Sequence, residues 1–239
     1  MDSKTILYES CAQMGVCLTD KQIEQFLQYK ELLLDWNQKI NLTAITEEKE
    51  VMLKHFADCV SIVSAVSLQK NTSVIDVGTG AGFPGIPLKI VCPSLHMTLL
   101  DSLQKRILFL EEVIKKLYLE NVFCIHTRAE DGGKNPEYRE KFDYCVSRAV
   151  ANLTALSEYC LPFVKIGGEL IALKGPEAEQ EVRQAKKAIQ VLGGEVTEIK
   201  QITIPYIELR HTLVLIKKVR QTPSQYPRKA GKVLKNPII

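Results

Sequence analysis

No apolar run in the 239 residues approaches the roughly 20 that a helix needs to cross a bilayer. The opening Met1-Asp2-Ser3-Lys4 lacks the basic-then-apolar order of an export signal, so an unexported, cytoplasmic protein is expected. The seven cysteines are an odd number and include no C-x-x-C pair. Cys124 and His126 are near neighbours, but no second ligand pair stands at metal spacing, so a reduced protein without bound metal is expected. Cys124 and Cys145 sit inside apolar runs, where a thiol behaves as a small buried hydrophobe. Cys145 has no adjacent proline and no electropositive setting, which argues against a nucleophile. The four histidines, His55, His96, His126 and His211, are scattered and form no Ser-His-Asp pattern. No side chain is therefore expected to act as an acid, a base or a nucleophile. Internal repeats and low-complexity segments are also missing.

The chain is 46% hydrophobic and 25% charged, enough for one domain with an extension and too little for two full domains. Its net charge of +3 is unevenly spread. Residues 209–239 hold eight Lys or Arg and no acid, leaving 23 basic against 28 acidic residues before them. Such a tail suits a polyanionic partner, and it is equally compatible with a solvated surface.

Helical periodicity dominates the first third. Thr19 with Gln22 forms a capping box ahead of Ile23, Phe26, Leu27, Leu33, Leu34 and Trp36. A break at Asn41-Leu42-Thr43 precedes a second helical pattern from about Glu48 to Ser64. After Asn71, short β-branched or apolar runs alternate with helical patterns. The runs are 73–77, 97–101, 122–125, 142–147 and 169–173, and the helices cover 105–117, 153–159 and 177–192. This alternation predicts right-handed crossovers in a doubly wound α/β sheet. Runs 195–204 and 212–219 have no helix between them and read as an antiparallel pair at one edge. Prolines 223, 227 and 237 predict an extended tail. The chain thus divides into a helical extension (1–66), a ligand-binding domain (67–220) and a basic tail (221–239).

The turn after the first strand reads Asp76-Val77-Gly78-Thr79-Gly80-Ala81-Gly82-Phe83-Pro84-Gly85-Ile86-Pro87-Leu88. In an open parallel sheet, ligands bind beyond the carboxyl ends of the strands, where glycines let ligand atoms approach the backbone. Gly80, Gly82 and Gly85 satisfy G-x-G-x-x-G, which alone does not separate a dehydrogenase from a methyltransferase. Three features favour the methyltransferase. Asp76 before the first glycine suits a ligand with a cationic end. Pro84 and Pro87 interrupt the helix start on which a pyrophosphate would sit. Asp101 ends the second strand, where a carboxylate can take both ribose hydroxyls, a feature shared with nicotinamide enzymes.

The run from Asp76 to Leu88 resembles motif I of class I methyltransferases, and its Gly-Phe-Pro-Gly-Ile-Pro form resembles the RsmG (GidB) family. Further likeness lies in Asn41-Leu42-Thr43-Ala44-Ile45, His55-Phe56-Ala57-Asp58, Lys105-Arg106 with Phe109-Leu110, Arg128-Ala129-Glu130, Ser147-Arg148-Ala149, Lys174-Gly175 and Tyr226 to Gly231. Cys59, where many relatives carry serine, is a minor departure. The resemblance implies a Rossmann-like, seven-stranded, mostly parallel sheet with an N-terminal helical extension. It also implies S-adenosyl-L-methionine as cofactor and N7 of a guanine in 16S rRNA, within the small ribosomal subunit, as target. The family's cofactor contacts carry over to Gly78, Phe83, Ala129, Glu130 and Arg148, with Asp101 added from its strand-end position.

Guanine N7 presents an in-plane lone pair with no proton to remove, which agrees with the missing acid–base residues. The Asn/Asp-Pro-Pro-aromatic run that holds exocyclic amines is replaced by Ser147-Arg148-Ala149-Val150. Arg148 is expected either to bridge cofactor and substrate or to pair with a carboxylate such as Glu130. His55 and Asp58, one helical turn apart, are expected to line the substrate mouth or to bond locally. Lys105, Arg106, Arg210 and Arg228 are expected to touch RNA, with Tyr226 either stacked on a base or packed on the domain. A monomer is expected. A nicotinamide-dependent oxidoreductase and a non-catalytic RNA-binding module stand as the alternatives.

Overall fold

The computed structural model describes residues 2–207 and 209–238. Helices α1 (Ser3–Gln13) and α2 (Asp20–Ile40) open the chain. Thr19 and Gln22 form the expected capping box at the start of α2, and Asn41, at φ 48°, ends it. The next helical segment runs from α3 (Glu48–Glu50) through a π-helical stretch (Val51–Ala57) into α4 (Asp58–Ala65). The wider π turn lies inside the continuous pattern expected from about Glu48 to Ser64, and it carries His55. Helix α1 has no counterpart among the elements expected from the sequence pattern.

The α/β body follows in the order β1 (Ser73–Val77), α5 (Gly85–Val91), β2 (His96–Asp101), α6 (Gln104–Lys116), β3 (Val122–His126), α7 (Ala129–Gly132) and β4 (Phe142–Arg148). Helix α8 (Leu153–Cys160), a 3-10 turn, β5 (Val164–Lys174) and α9 (Ala178–Val191) come next. Strands β6 (Gly194–Ile204) and β7 (Leu209–Lys218) and the short α10 (Lys232–Lys235) complete it. The sheet order is β3-β2-β1-β4-β5-β7-β6. Strands β1 to β5 are parallel, and β7 runs antiparallel to both β5 and β6, forming the expected edge pair.

Two hydrophobic clusters cover the two faces. One joins Phe26, Tyr29 and Phe56 of the N-terminal helices to Val74, Leu99, Phe109 and Leu215, so the extension shares its core with the sheet. The other packs α8, α9 and the tail against Val77, Cys145 and Val214. Cys145 lies in that core, where burial pushes its thiol well above the ordinary range. Cys124 is only half-buried, because β3 is the edge strand.

The tail differs from an extended, solvated arm. Thr222, Pro227 and Val233 are buried and Tyr226 is half-buried against the second cluster. Arg139 donates to the carbonyls of Thr222, Pro223, Tyr226 and Gly133. Lys218, fully buried, donates to Glu140 and to the carbonyls of Leu161 and Val164. Proline keeps the tail from forming a long helix, while its scattered apolar residues fill hollows on the body.

Candidate functional site

Strand order reverses between β1 and β4, and a cavity of about 520 Å³ opens beyond the carboxyl ends there. That volume lies within the roughly 300–1,000 Å³ typical of small-molecule sites. Gly78, Phe83, Asp101, Ala129, Glu130 and Arg148, the six expected cofactor residues, all line it. They come from the ends of β1, β2 and β4, from α7 and from the glycine turn, so chain-distant residues converge because parallel strands finish at one edge.

The four glycines divide by task. Gly78 (φ 72°) and Gly80 (φ 61°) line the cavity in a left-handed conformation that other residues rarely adopt. A Cβ on Gly78 would stand 2.6 Å from Val150 Cγ2, so this glycine lets the Arg148–Val150 loop close over the turn. Gly82 and Gly85 do not line the cavity. A Cβ on Gly82 would stand 2.6 Å from the Tyr29 hydroxyl, and one on Gly85 would run into Leu99 and the Asp76 carboxylate. Two of the four glycines in the turn therefore serve close packing.

Asp76 also differs from expectation. It is fully buried beneath the turn and takes no part in the cavity wall. Its Oδ2 accepts from Thr79 Oγ1 at 2.7 Å and from Gly85 N at 2.8 Å, while Oδ1 has no donor. Burial raises its pKa to about 7, against the lowering effect of those two hydrogen bonds. It therefore shapes the turn and takes the first amide of α5.

Asp101 does reach the cavity. Its carboxylate accepts from Gly80 N (2.9 Å), Leu103 N (2.9 Å) and Arg106 (3.2 Å). Three of roughly four acceptor positions are filled, so taking two ligand hydroxyls requires the half-buried Arg106 to move aside. Arg106, expected on an RNA surface, is instead tied to the cavity rim by this ion pair.

Arg148 is the centre of the opposite wall. Its guanidinium donates to Asp58 Oδ2 (2.9 Å) and the Lys54 carbonyl (3.1 Å), and lies 3.2 Å from His55 Nδ1. The pairing carboxylate is thus Asp58 and not Glu130, because the π turn brings Lys54, His55 and Asp58 to the end of β4. The guanidinium also lies 4.7 Å from the centroid of Phe83, whose ring stacks on His55 at 4.6 Å. His211 Nδ1 lies 2.7 Å from Asp58 Oδ1 without hydrogen-bond alignment. Burial, reinforced by the Arg148 charge, depresses the His55 pKa to about 4, so its ring is neutral near pH 7.

Two further contributors carry no usable sequence signal. Tyr29, buried on α2, donates its hydroxyl to the Ala81 carbonyl and so props the glycine turn from behind. His211 reaches the site only because β7 returns beside β5. Of the expected RNA contacts, Lys105 and Arg210 are exposed. Arg228 is not available in the same way. Its guanidinium donates to both oxygens of Glu158, itself 1% exposed, and to the Asn236 carbonyl.

A family model described as rRNA small subunit methyltransferase G matches residues 22–211. Over 238 residues, and the full length of both chains, the sequence is 55% identical to a "Ribosomal RNA small subunit methyltransferase G" of Alkaliphilus oremlandii and 53% identical to one of Alkaliphilus metalliredigens. Among solved structures, M. jannaschii TYW2 in complex with AdoMet superposes with a TM-score of 0.51 at 17% identity, covering 65% of this chain and 73% of that one. TrmN from Thermus thermophilus gives 0.53 at 13% identity, covering 67% and 48%. At these identities the structural likeness concerns the fold, that of class I methyltransferases.

Proposed function

Since the chain belongs to the rRNA small subunit methyltransferase G family and is an S-adenosylmethionine-dependent rRNA methyltransferase, we propose that the cavity between β1 and β4 seats both the cofactor and the guanine whose N7 is methylated in 16S rRNA. The observation that carries this reading is the convergence of Gly78, Gly80, Asp101, Glu130 and Arg148 on one cavity at the carboxyl edge of the sheet.

The residues present fit the cofactor. Gly80, where an added Cβ would meet nothing nearer than the Gly78 carbonyl at 4.0 Å, leaves space at the turn beside the end of β1, and Gly78 lines the same cavity. Asp101 offers an open acceptor position for a ribose hydroxyl, and Glu130, 9% exposed, offers a second carboxylate in the same wall. When bound, S-adenosylmethionine supplies a methyl group on a positively charged sulfur, which a nitrogen lone pair can displace in line. The protein's part is then placement and exclusion of water. Arg148, Phe83 and His55 form a stacked wall that limits where a base can enter. Because Arg148 is held by Asp58 and the Lys54 carbonyl, that wall needs no rearrangement to be in position.

No helix among the described residues is long and apolar enough to cross a membrane. The reading places the enzyme in the cytoplasm, acting as a monomer on small-subunit RNA. The helical extension (1–66), cofactor domain (67–220) and tail (221–239) are proposed as its working parts. Purified protein is incubated with S-adenosylmethionine and either 16S RNA or small ribosomal subunits, and the RNA is cleaved chemically at 7-methylguanosine. Cleavage at one guanine supports the reading. Methyl incorporation elsewhere, or none with either substrate, overturns it.

A further inference from the structure

The loop that follows α2 carries a hydroxyl whose hydrogen-bonding roles are fully determined by its neighbours. Asn37 Oδ1 accepts from the amides of Leu42 (2.6 Å) and Thr43 (2.8 Å), which fixes the loop backbone. Thr43, half-buried, lines the cavity. Its Oγ1 accepts from Ile45 N at 3.0 Å and lies 2.8 Å from His55 Nε2. The other ring nitrogen, His55 Nδ1, lies 3.2 Å from an Arg148 nitrogen. A guanidinium has only donors, so Nδ1 must accept. In the neutral ring the proton then sits on Nε2 and is donated to Thr43 Oγ1.

A hydroxyl oxygen has two acceptor positions and one hydrogen. Both acceptor positions of Thr43 are occupied, by Ile45 N–H and by His55 Nε2–H. Its hydrogen is the one remaining capacity, and the cavity is where a partner can meet it. Arg148 thus sets the His55 tautomer, and His55 sets the polarity of Thr43. The chain Asp58–Arg148–His55–Thr43 turns a hydroxyl that could work either way into an obligate donor.

We propose that Thr43 is a base-specificity residue, whose hydroxyl donates to O6 of the target guanine. This deepens the N7 reading above and rests on it. Guanine presents N7 and O6 side by side as acceptors, while adenine replaces O6 with an amino donor. With the N7 lone pair directed at the methyl group, O6 is the neighbouring acceptor left for the protein. An adenine would bring two donors face to face, and the locked Thr43 has no means of reversing its role. His55 serves as a positioning residue, acting through Thr43.

The test changes both sides of the contact. In 16S RNA assembled by splinted ligation, the methylated guanine is replaced by inosine, which keeps O6, or by 2-aminopurine, which keeps N7 and lacks O6. Single-turnover methyl transfer is measured for wild type, T43S and T43V, with S-adenosylhomocysteine affinity as the check on cofactor binding. Wild type is expected to methylate inosine within a few-fold of guanosine and to lose roughly 10- to 100-fold on 2-aminopurine. T43V is expected to lose a similar factor on guanosine, with unchanged cofactor affinity and no further loss on 2-aminopurine, while T43S stays near wild type. Wild type methylating 2-aminopurine as fast as guanosine overturns the proposal even if T43V fails to fold. So does T43V at full rate on guanosine, or losses that multiply. Absence of 7-methylguanosine from wild type on natural RNA would instead refute the N7 reading itself.

Discussion

Two buried titratable residues flank the glycine turn, and their environments shift them in opposite senses. Asp76 is raised to about 7 by burial, and His55 is depressed to about 4 by burial and the nearby Arg148 charge. For Asp76, the unfolded chain releases its proton near pH 4 while the folded chain retains it to about pH 7. Its contribution to stability is therefore intact below pH 4 and lost as pH rises through 7, by up to roughly 4 kcal/mol. For His55 the sign reverses: its contribution is intact above about 6.5 and lost as pH falls toward 4. Removing one group should unmask the other. Relative to wild type, D76N should gain stability on going from pH 4 to 7, and H55Q should gain it on going from 6.5 to 4. Denaturant unfolding at several pH values measures both. Parallel curves for the two variants and wild type would show that neither shift exists. Arg148 gives a third expectation at this scale. R148M removes the only guanidinium facing the fully buried Asp58 among the described residues, leaving a buried charge short of its partner. Breaking such a pair costs about 3–5 kcal/mol, which should appear as a large fall in Tm together with loss of methyl transfer.

At the level of elements, the strands, the long helices and their alternation are legible in the sequence because hydrophobic period and glycine placement are local properties. The capping box at Thr19 and the antiparallel pair β6 and β7 follow from a few residues each. Features that depend on what packs behind a segment are not legible. The π turn at Val51–Ala57 reads in sequence like an ordinary helix, and only its wider backbone hydrogen bonding in the folded chain makes it distinct. Gly82 and Gly85 look like ligand glycines until Tyr29, Leu99 and Asp76 are seen against them. The candidate site is readable where residues lie at strand ends, as with Asp101 and Arg148. It is unreadable where they arrive from another part of the chain, as with Tyr29 and His211. The docked tail belongs to this second kind, and it carries its own expectation. R139A removes four hydrogen bonds, three of them to the tail carbonyls of Thr222, Pro223 and Tyr226. Trypsin should then cut rapidly at Arg228 and Lys229, while wild type resists. Equal cutting would mean that Arg139 does not hold the tail.

Across the whole molecule, the basic residues of segment 209–239 fall into two groups. Arg228 and Lys218 are engaged within the fold, whereas Lys229, Lys232 and Lys235 are exposed and paired with no acid among the described residues. We propose that these lysines, with the exposed Lys105 and Arg210, supply cations that meet RNA phosphates. Replacing the three tail lysines by glutamine should weaken RNA binding and flatten its salt dependence, by about one unit of log–log slope for each phosphate no longer neutralised. Cofactor affinity and Tm should stay near wild type. Unchanged salt dependence would place the RNA elsewhere.

The central claim is the location of the cofactor at the β1/β4 reversal, and a crystal structure with S-adenosylhomocysteine tests it most directly. The account predicts ligand density along the backbone of Gly78 and Gly80, with the ribose at Asp101 and with Glu130 and Arg148 lining the same site. Density on another edge of the sheet would contradict it.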